Sequence, residues 1–136
     1  MPLTFRVLLA EDNPGDIRLF REALDSLSLS FELIVAEDGE KAIALAKSAA
    51  RSQPLDLMVL DVNLPRHKGD EVLRQLRAEP SFSNTPVIVM TSSEAPADKA
   101  AAAWLGASLY IRKPSDLDEL MDVAKVIEKV LRKNSP

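Results

Sequence analysis

The chain has 136 residues, 46% hydrophobic and 28% charged, with 4 Gly, 9 Pro and no Cys. That is the size and balance of one ordinary folded domain, without a disulfide framework or a thiolate metal site, and fits a reducing, cytoplasmic compartment. Seventeen Lys and Arg against 21 Asp and Glu give a net charge of −4. No basic stripe suits duplex DNA, no apolar stretch nears the roughly 20 residues that span a bilayer, and the opening apolar run is too short for a signal peptide.

The first apolar run, Val7 to Ala10, is followed by an acidic turn, EDNPGD. Ile17, Phe20, Leu24 and Leu27 then recur at helical spacing. A second run, Leu33 to Ala36, precedes an Ala-rich helical stretch from Gly39 to Ala50 with Ile43 and Ala46 on one face. The third run, Leu57 to Leu60, leads into DVNLPRHKGD and a short stripe of Val72, Leu73 and Leu76. Pro86 introduces the fourth run, Val87 to Met90, after which Ala97 to Leu105 reads as a helix ended by Gly106 as C-cap. A weaker fifth run, Leu109 to Ile111, stops at Lys113 and Pro114. Ser115 as N-cap opens a last helix, Asp116 to Leu131, with Leu120, Ala124, Ile127 and Leu131 as its stripe.

Runs this short, apolar at every position, suit strands covered on both faces of a parallel sheet. Strand then helix, five times over, predicts an α/β fold: a doubly wound five-stranded parallel sheet, (βα)5. The flavodoxin-like strand order 2-1-3-4-5 and a truncated dinucleotide fold are the two candidates. The second is disfavoured, because the first turn is acidic where a pyrophosphate would need G-x-G-x-x-G.

All strand C-termini of a parallel sheet share one edge, where ligands bind. Glu11, Asp12 and Asn13 follow the first strand, Glu37 and Asp38 the second, Asp61 and Asn63 the third. Thr91, Ser92 and Ser93 follow the fourth, and Lys113 the fifth. Carboxylates held together imply a cation. With no Cys and a lone His67 in a polar loop, the donors are all oxygen, which favours Mg²⁺ or Mn²⁺ over zinc. An ammonium and a hydroxyl beside the metal suit a phosphoryl group, and a carboxylate there can serve as its acceptor. Taken singly, these residues also fit solvated turns, helix caps and a surface lysine.

Together, LLAEDN, VLDVNLP, VMTSS and YIRKP, in this order and spacing, resemble a two-component response-regulator receiver domain, over about Phe5 to Leu131. The resemblance implies that Asp61 is the phosphoacceptor for a histidine kinase. It implies that Asp12 holds Mg²⁺ directly, Glu11 through water, and Asn63 through its backbone carbonyl. Thr91 would bond the phosphoryl oxygen, Lys113 would pair with Asp61 and then with the phosphate, and Tyr110 would be the aromatic switch. The bond before Pro114 would be cis and aim Lys113 inward. Phosphorylation would change the surface of the fourth helix, fifth strand and last helix. About five residues follow Leu131, so a single receiver domain without an output domain is expected, acting by binding or by passing the phosphate to a downstream protein.

EDNPGDIRLFREAL looks most like receivers partnered with bacterial phytochrome kinases, as in cyanobacteria. Departures are Glu-Asp where many relatives have Asp-Asp, and Ser115 where many have Phe. A degenerate receiver kept as a constitutive interaction module is the alternative, and a Mg²⁺-dependent phosphohydrolase is more remote, since Asn63 replaces the acid-base aspartate it would want. In the last helix, Val123, Val126 and Val130 widen the apolar face beyond one stripe. That predicts either deep burial or a homodimer through this helix and the fifth strand.

Overall fold

In the computed structural model, residues 4–62, 69–91, 100 and 106–133 are described, with Gly69 and Asp70 by their backbone alone. Five strands form one sheet: β1 (Thr4–Ala10), β2 (Ser30–Ala36), β3 (Leu57–Asp61), β4 (Val87–Thr91) and β5 (Leu109–Arg112). All neighbouring pairs are parallel and the order is β2-β1-β3-β4-β5. This is the flavodoxin-like alternative. Four helices are described: α1 (Pro14–Asp25), α2 (Gly39–Ser52), α3 (Gly69–Arg77) and α4 (Leu117–Lys133). The helix expected over 97–105 lies outside the described residues apart from Ala100.

Side-chain alternation divides the core into two layers. Val7 and Leu9 of β1, Leu57 and Val59 of β3, and Ile88 and Met90 of β4 pack against Phe20 and Leu24 of α1 and against Leu120, Ala124 and Ile127 of α4. Leu8 and Ala10, Met58 and Leu60, and Val87 and Val89 face the other way, against Ala42 and Ala46 of α2 and Val72, Leu73 and Leu76 of α3. Both faces are therefore covered, which is why these strands carry unbroken apolar runs.

Local chemistry sets where the helices begin. Asn13 caps α1, its Oδ1 accepting the Asp16 N–H at 3.0 Å, with Pro14 at the first helical position. Asp38 caps α2 by accepting the Lys41 N–H at 2.7 Å. For α4 the expected cap is displaced by one residue: Asp116, not Ser115, accepts the Glu119 N–H at 2.8 Å. Ser115 instead donates its N–H and hydroxyl back to the Glu119 carboxylate, at 3.3 and 3.1 Å. A carboxylate cap also complements the positive helix end better than a hydroxyl.

β1 begins three residues before its apolar run because Arg6 belongs to it. The buried Arg6 guanidinium donates to Glu32 Oε2 at 3.0 Å, to the Ala49 carbonyl at 2.9 Å and to the Gln53 carbonyl, at the carboxyl end of α2. A short 3₁₀ turn, Pro80–Phe82, plugs the same end of the sheet with the fully buried Phe82. Gly106 adopts a left-handed φ of 98°. Arg77 donates Nε and Nη2 to its carbonyl at 3.0 and 2.8 Å, and a Cβ at Gly106 would lie 3.1 Å from Arg77 Nε.

Val123 of α4 faces the core, while Val126 and Val130 are half-buried. Val123 therefore does not belong to an intermolecular face: its stripe packs against the sheet. The widened apolar pattern is explained in large part by burial within the chain. No described helix is long and apolar enough to cross a membrane.

Candidate functional site

The carboxyl edge of the sheet gathers Glu11, Asp12, Asp61, Thr91 and Lys113. Asp61 and Thr91 are the last residues of β3 and β4. Glu11 continues β1, donating its N–H to the Ala36 carbonyl at 2.9 Å. Lys113 follows β5, donating its N–H to the Thr91 carbonyl at 2.6 Å. Alternation then assigns sides. Glu11 continues the face of Leu9, Asp61 that of Val59, and Lys113 that of Ile111, so all three lie on the α1/α4 side. Thr91 continues the face of Val89, and Tyr110 packs on that face, on the α2/α3 side.

Glu11, at 2% exposure, and Asp61, at 3%, are buried; Asp12 is exposed. The Lys113 ammonium sits 2.7 Å from Glu11 Oε1 and 3.1 Å from Asp61 Oδ2. Glu11 Oε2 also accepts the N–H groups of Asp12 and Asn13 at 3.0 and 3.3 Å. Burial pushes the Glu11 carboxyl above its ordinary value, aided by the neighbouring Asp61 charge and opposed by the hydrogen bonds from Lys113 and Asn13. For Lys113, burial works against the charge, but hydrogen bonds to Glu11, Asp16 and Asp61 outweigh it and raise its pKa.

One oxygen from each of Glu11, Asp12 and Asp61 lies within 4.8 Å of the others. This hard-oxygen set suits Mg²⁺ or Mn²⁺. Among the described residues, this buried pair of carboxylates and exposed third meet one ammonium and two backbone N–H groups, a charge balance that suits a dication. The donor set thus fits the metal expected from the sequence.

Asn63, Ser92, Ser93 and His67 lie outside the described residues, so the backbone carbonyl of Asn63 enters only through the family pattern. Glu37 is exposed and Asp38 is committed to its helix cap; neither joins the cluster. One expectation is corrected. No cis peptide bond is present among the described residues, so the bond before Pro114 is trans. The length of the lysine side chain and its carboxylate partners suffice to bring the ammonium to the site. One residue went unnoticed in the sequence: Asp16, in the first turn of α1, places Oδ2 3.1 Å from the Lys113 ammonium. Its signal was an acid three residues beyond the Asn13 cap, which by itself reads as a complement to the helix dipole.

Comparison with known proteins agrees with this geometry. The family model described as the response regulator receiver domain matches residues 7–125, and the chain belongs to that family. It is 34% identical over 125 residues to the response regulator Rcp1 of Synechocystis sp., covering 90% of this chain and 85% of that one. The phosphorylated cyanobacterial phytochrome response regulator RcpA superposes with a TM-score of 0.88 at 31% identity, with 98% of each chain covered. The Mn²⁺-bound form of Rcp1 gives 0.83 at 31% identity, with 97% of each covered. Receiver domains bind Mg²⁺, and among the described residues Glu11, Asp12 and Asp61 form a group that could hold it.

Proposed function

We propose that Asp61 accepts a phosphoryl group from a phosphohistidine of a sensor histidine kinase, and that the kinase is of the phytochrome type. The observation that carries the phosphoacceptor reading is the buried Asp61 carboxylate, bridged by Lys113 to Glu11 within a cluster of oxygen donors. The likeness to RcpA and Rcp1 supports the phytochrome partner.

In the transfer, an Asp61 oxygen attacks phosphorus in line with the bond to the imidazole nitrogen. That bond breaks, its electron pair leaves with the imidazole, and an acyl phosphate forms. Bound Mg²⁺ supplies positive charge that offsets the charge on the phosphoryl oxygens. Lys113 offsets part of the same charge, and Glu11, Asp12 and Asp61 would hold the metal. The chain mainly positions and screens, which is how phosphoryl transfer is assisted. It is a phosphoacceptor in the cytoplasm, not an enzyme turning over a separate substrate.

Thr91 and Tyr110 then form the switch. They occupy one face of adjacent strands, in register as Val89↔Tyr110 and Thr91↔Arg112. Movement of the Thr91 hydroxyl toward the new phosphoryl oxygen leaves room for the half-buried Tyr110 ring. The surface of β5 and the last helix changes with it, a two-state element biased by local charge. That surface also serves a second copy of the chain: Leu109 is exposed on the edge strand, and Val126 and Val130 of the last helix are half-buried. Sedimentation of Val126→Glu tests the dimer; a wild-type chain that stays monomeric with and without phosphorylation removes it.

The main reading is tested with Mg²⁺ and acetyl phosphate followed by intact-mass measurement. One phosphoryl group should add to the wild-type chain and none to Asp61→Asn. Addition that survives Asp61→Asn overturns the assignment.

A further inference from the structure

The Lys113 ammonium has three N–H donors and three carboxylate partners: Glu11 at 2.7 Å, Asp16 at 3.1 Å and Asp61 at 3.1 Å. The partners are not equivalent. Glu11 and Asp61 belong to the metal-binding cluster, whereas Asp16 does not. A dication entering that cluster therefore competes with the ammonium for two of its three partners and repels it. Asp16 remains. Its backbone is fixed by the Asn13 cap at the start of α1, and its half-exposed carboxylate stands at the rim of the site.

We propose that Asp16 is a positioning residue of this site: its carboxylate holds the Lys113 ammonium at the rim of the acid cluster. A divalent cation can then enter among Glu11, Asp12 and Asp61 without driving the ammonium away. The same contact keeps Lys113 within reach of the phosphoryl group. The role in transfer rests on the phosphoacceptor reading; the coupling to the metal does not.

Without Asp16, the ammonium retreats fully onto Glu11 and Asp61, and the metal must displace it. Asp16 thus aids metal binding through Lys113, in addition to its own through-space charge. The two contributions separate in a double-mutant cycle.

Calorimetric titration of Mg²⁺ into the wild type, Asp16→Asn, Lys113→Met and the double variant measures this. Asp16→Asn should weaken Mg²⁺ about fivefold or more in the wild-type background and less than about twofold beside Lys113→Met. Equal weakening in both backgrounds, or none in either, overturns the proposal. Asp16→Ala is the second variant, and thermal melts confirm that each is folded. A merely structural loss of the α1 turn would lower the melting temperature without dependence on Lys113. At saturating Mg²⁺, phosphate uptake should also slow in Asp16→Asn and recover in Asp16→Glu. A wild-type chain that takes up no phosphate would overturn the phosphoacceptor reading, while the Mg²⁺ cycle still decides the coupling.

Discussion

The two ends of β1 each bury a charged side chain, and they treat it in opposite ways. At the amino end, Arg6 donates to Glu32 and to the Ala49 and Gln53 carbonyls, so a cation sits at the negative end of α2. Its own N–H donates to Asp56 Oδ2 at 2.8 Å. That charge is answered by groups already in the chain. At the carboxyl end, among the described residues, Glu11, Asp16 and Asp61 share the Lys113 ammonium, and Asp12 joins Glu11 and Asp61 in the acidic cluster. Among the described groups, four carboxylates against one ammonium leave an excess that a dication would neutralise. Burial by itself does not mark a functional site; burial with an incomplete answer to the charge does.

The sharpest way to break this comparison is to remove the cation from each end. Lys113→Met should slow phosphate uptake from acetyl phosphate by about 10²–10³-fold, the usual cost of losing one preorganised partner of the transition-state charge. It should also tighten Mg²⁺, because the competing ammonium is gone; calorimetry checks this. Arg6→Met should do the reverse. It removes the guanidinium's hydrogen bonds to Glu32 and to the Ala49 and Gln53 carbonyls and should cost about 1.5–3 kcal/mol. Denaturant melts read that loss, while phosphate uptake below the melting temperature should stay near the wild-type rate. Similar slowing of uptake in both variants would show that the two ends are not separable.

The carboxyl end was legible in the sequence, for a physical reason. Strands sandwiched between helix layers must be apolar at every position, so VLLA, LMVL and VIVM announced both the elements and the edge where polar residues begin. Period-two alternation then carries Glu11, Asp61 and Lys113 to one side. What escaped was what depends on three-dimensional partners. Arg6 interrupts an apolar pattern, and its place in β1 requires the α2 carbonyls, which are far along the chain. Asp16 looks like a helix-end acid until Lys113 arrives from β5. Asp116 outcompetes Ser115 as the α4 cap although both are good capping residues. Phe82 lies outside every periodic run, yet its 3₁₀ turn closes the core.

The smallest effect tests the charge excess itself. Burial and the Asp61 charge raise the Glu11 pKa in the folded chain. A raised folded-state pKa means that the native state binds the proton more tightly than the unfolded state. The resulting stability is fully present below the unfolded value of 4.5 and is lost as pH rises through the folded value. In metal-free buffer the ionised Glu11 therefore works against the fold at neutral pH. Glu11→Gln cannot ionise and escapes that penalty. The melting temperature of Glu11→Gln relative to wild type should rise between pH 4 and pH 7 with chelator present. Saturating Mg²⁺ should shrink or reverse the difference, because binding to the wild type adds about 2.7 kcal/mol at a hundred times Kd. A gap between the two chains that is flat with pH and blind to Mg²⁺ would mean that Lys113 already balances the cluster, and that this end of β1 resembles the Arg6 end after all.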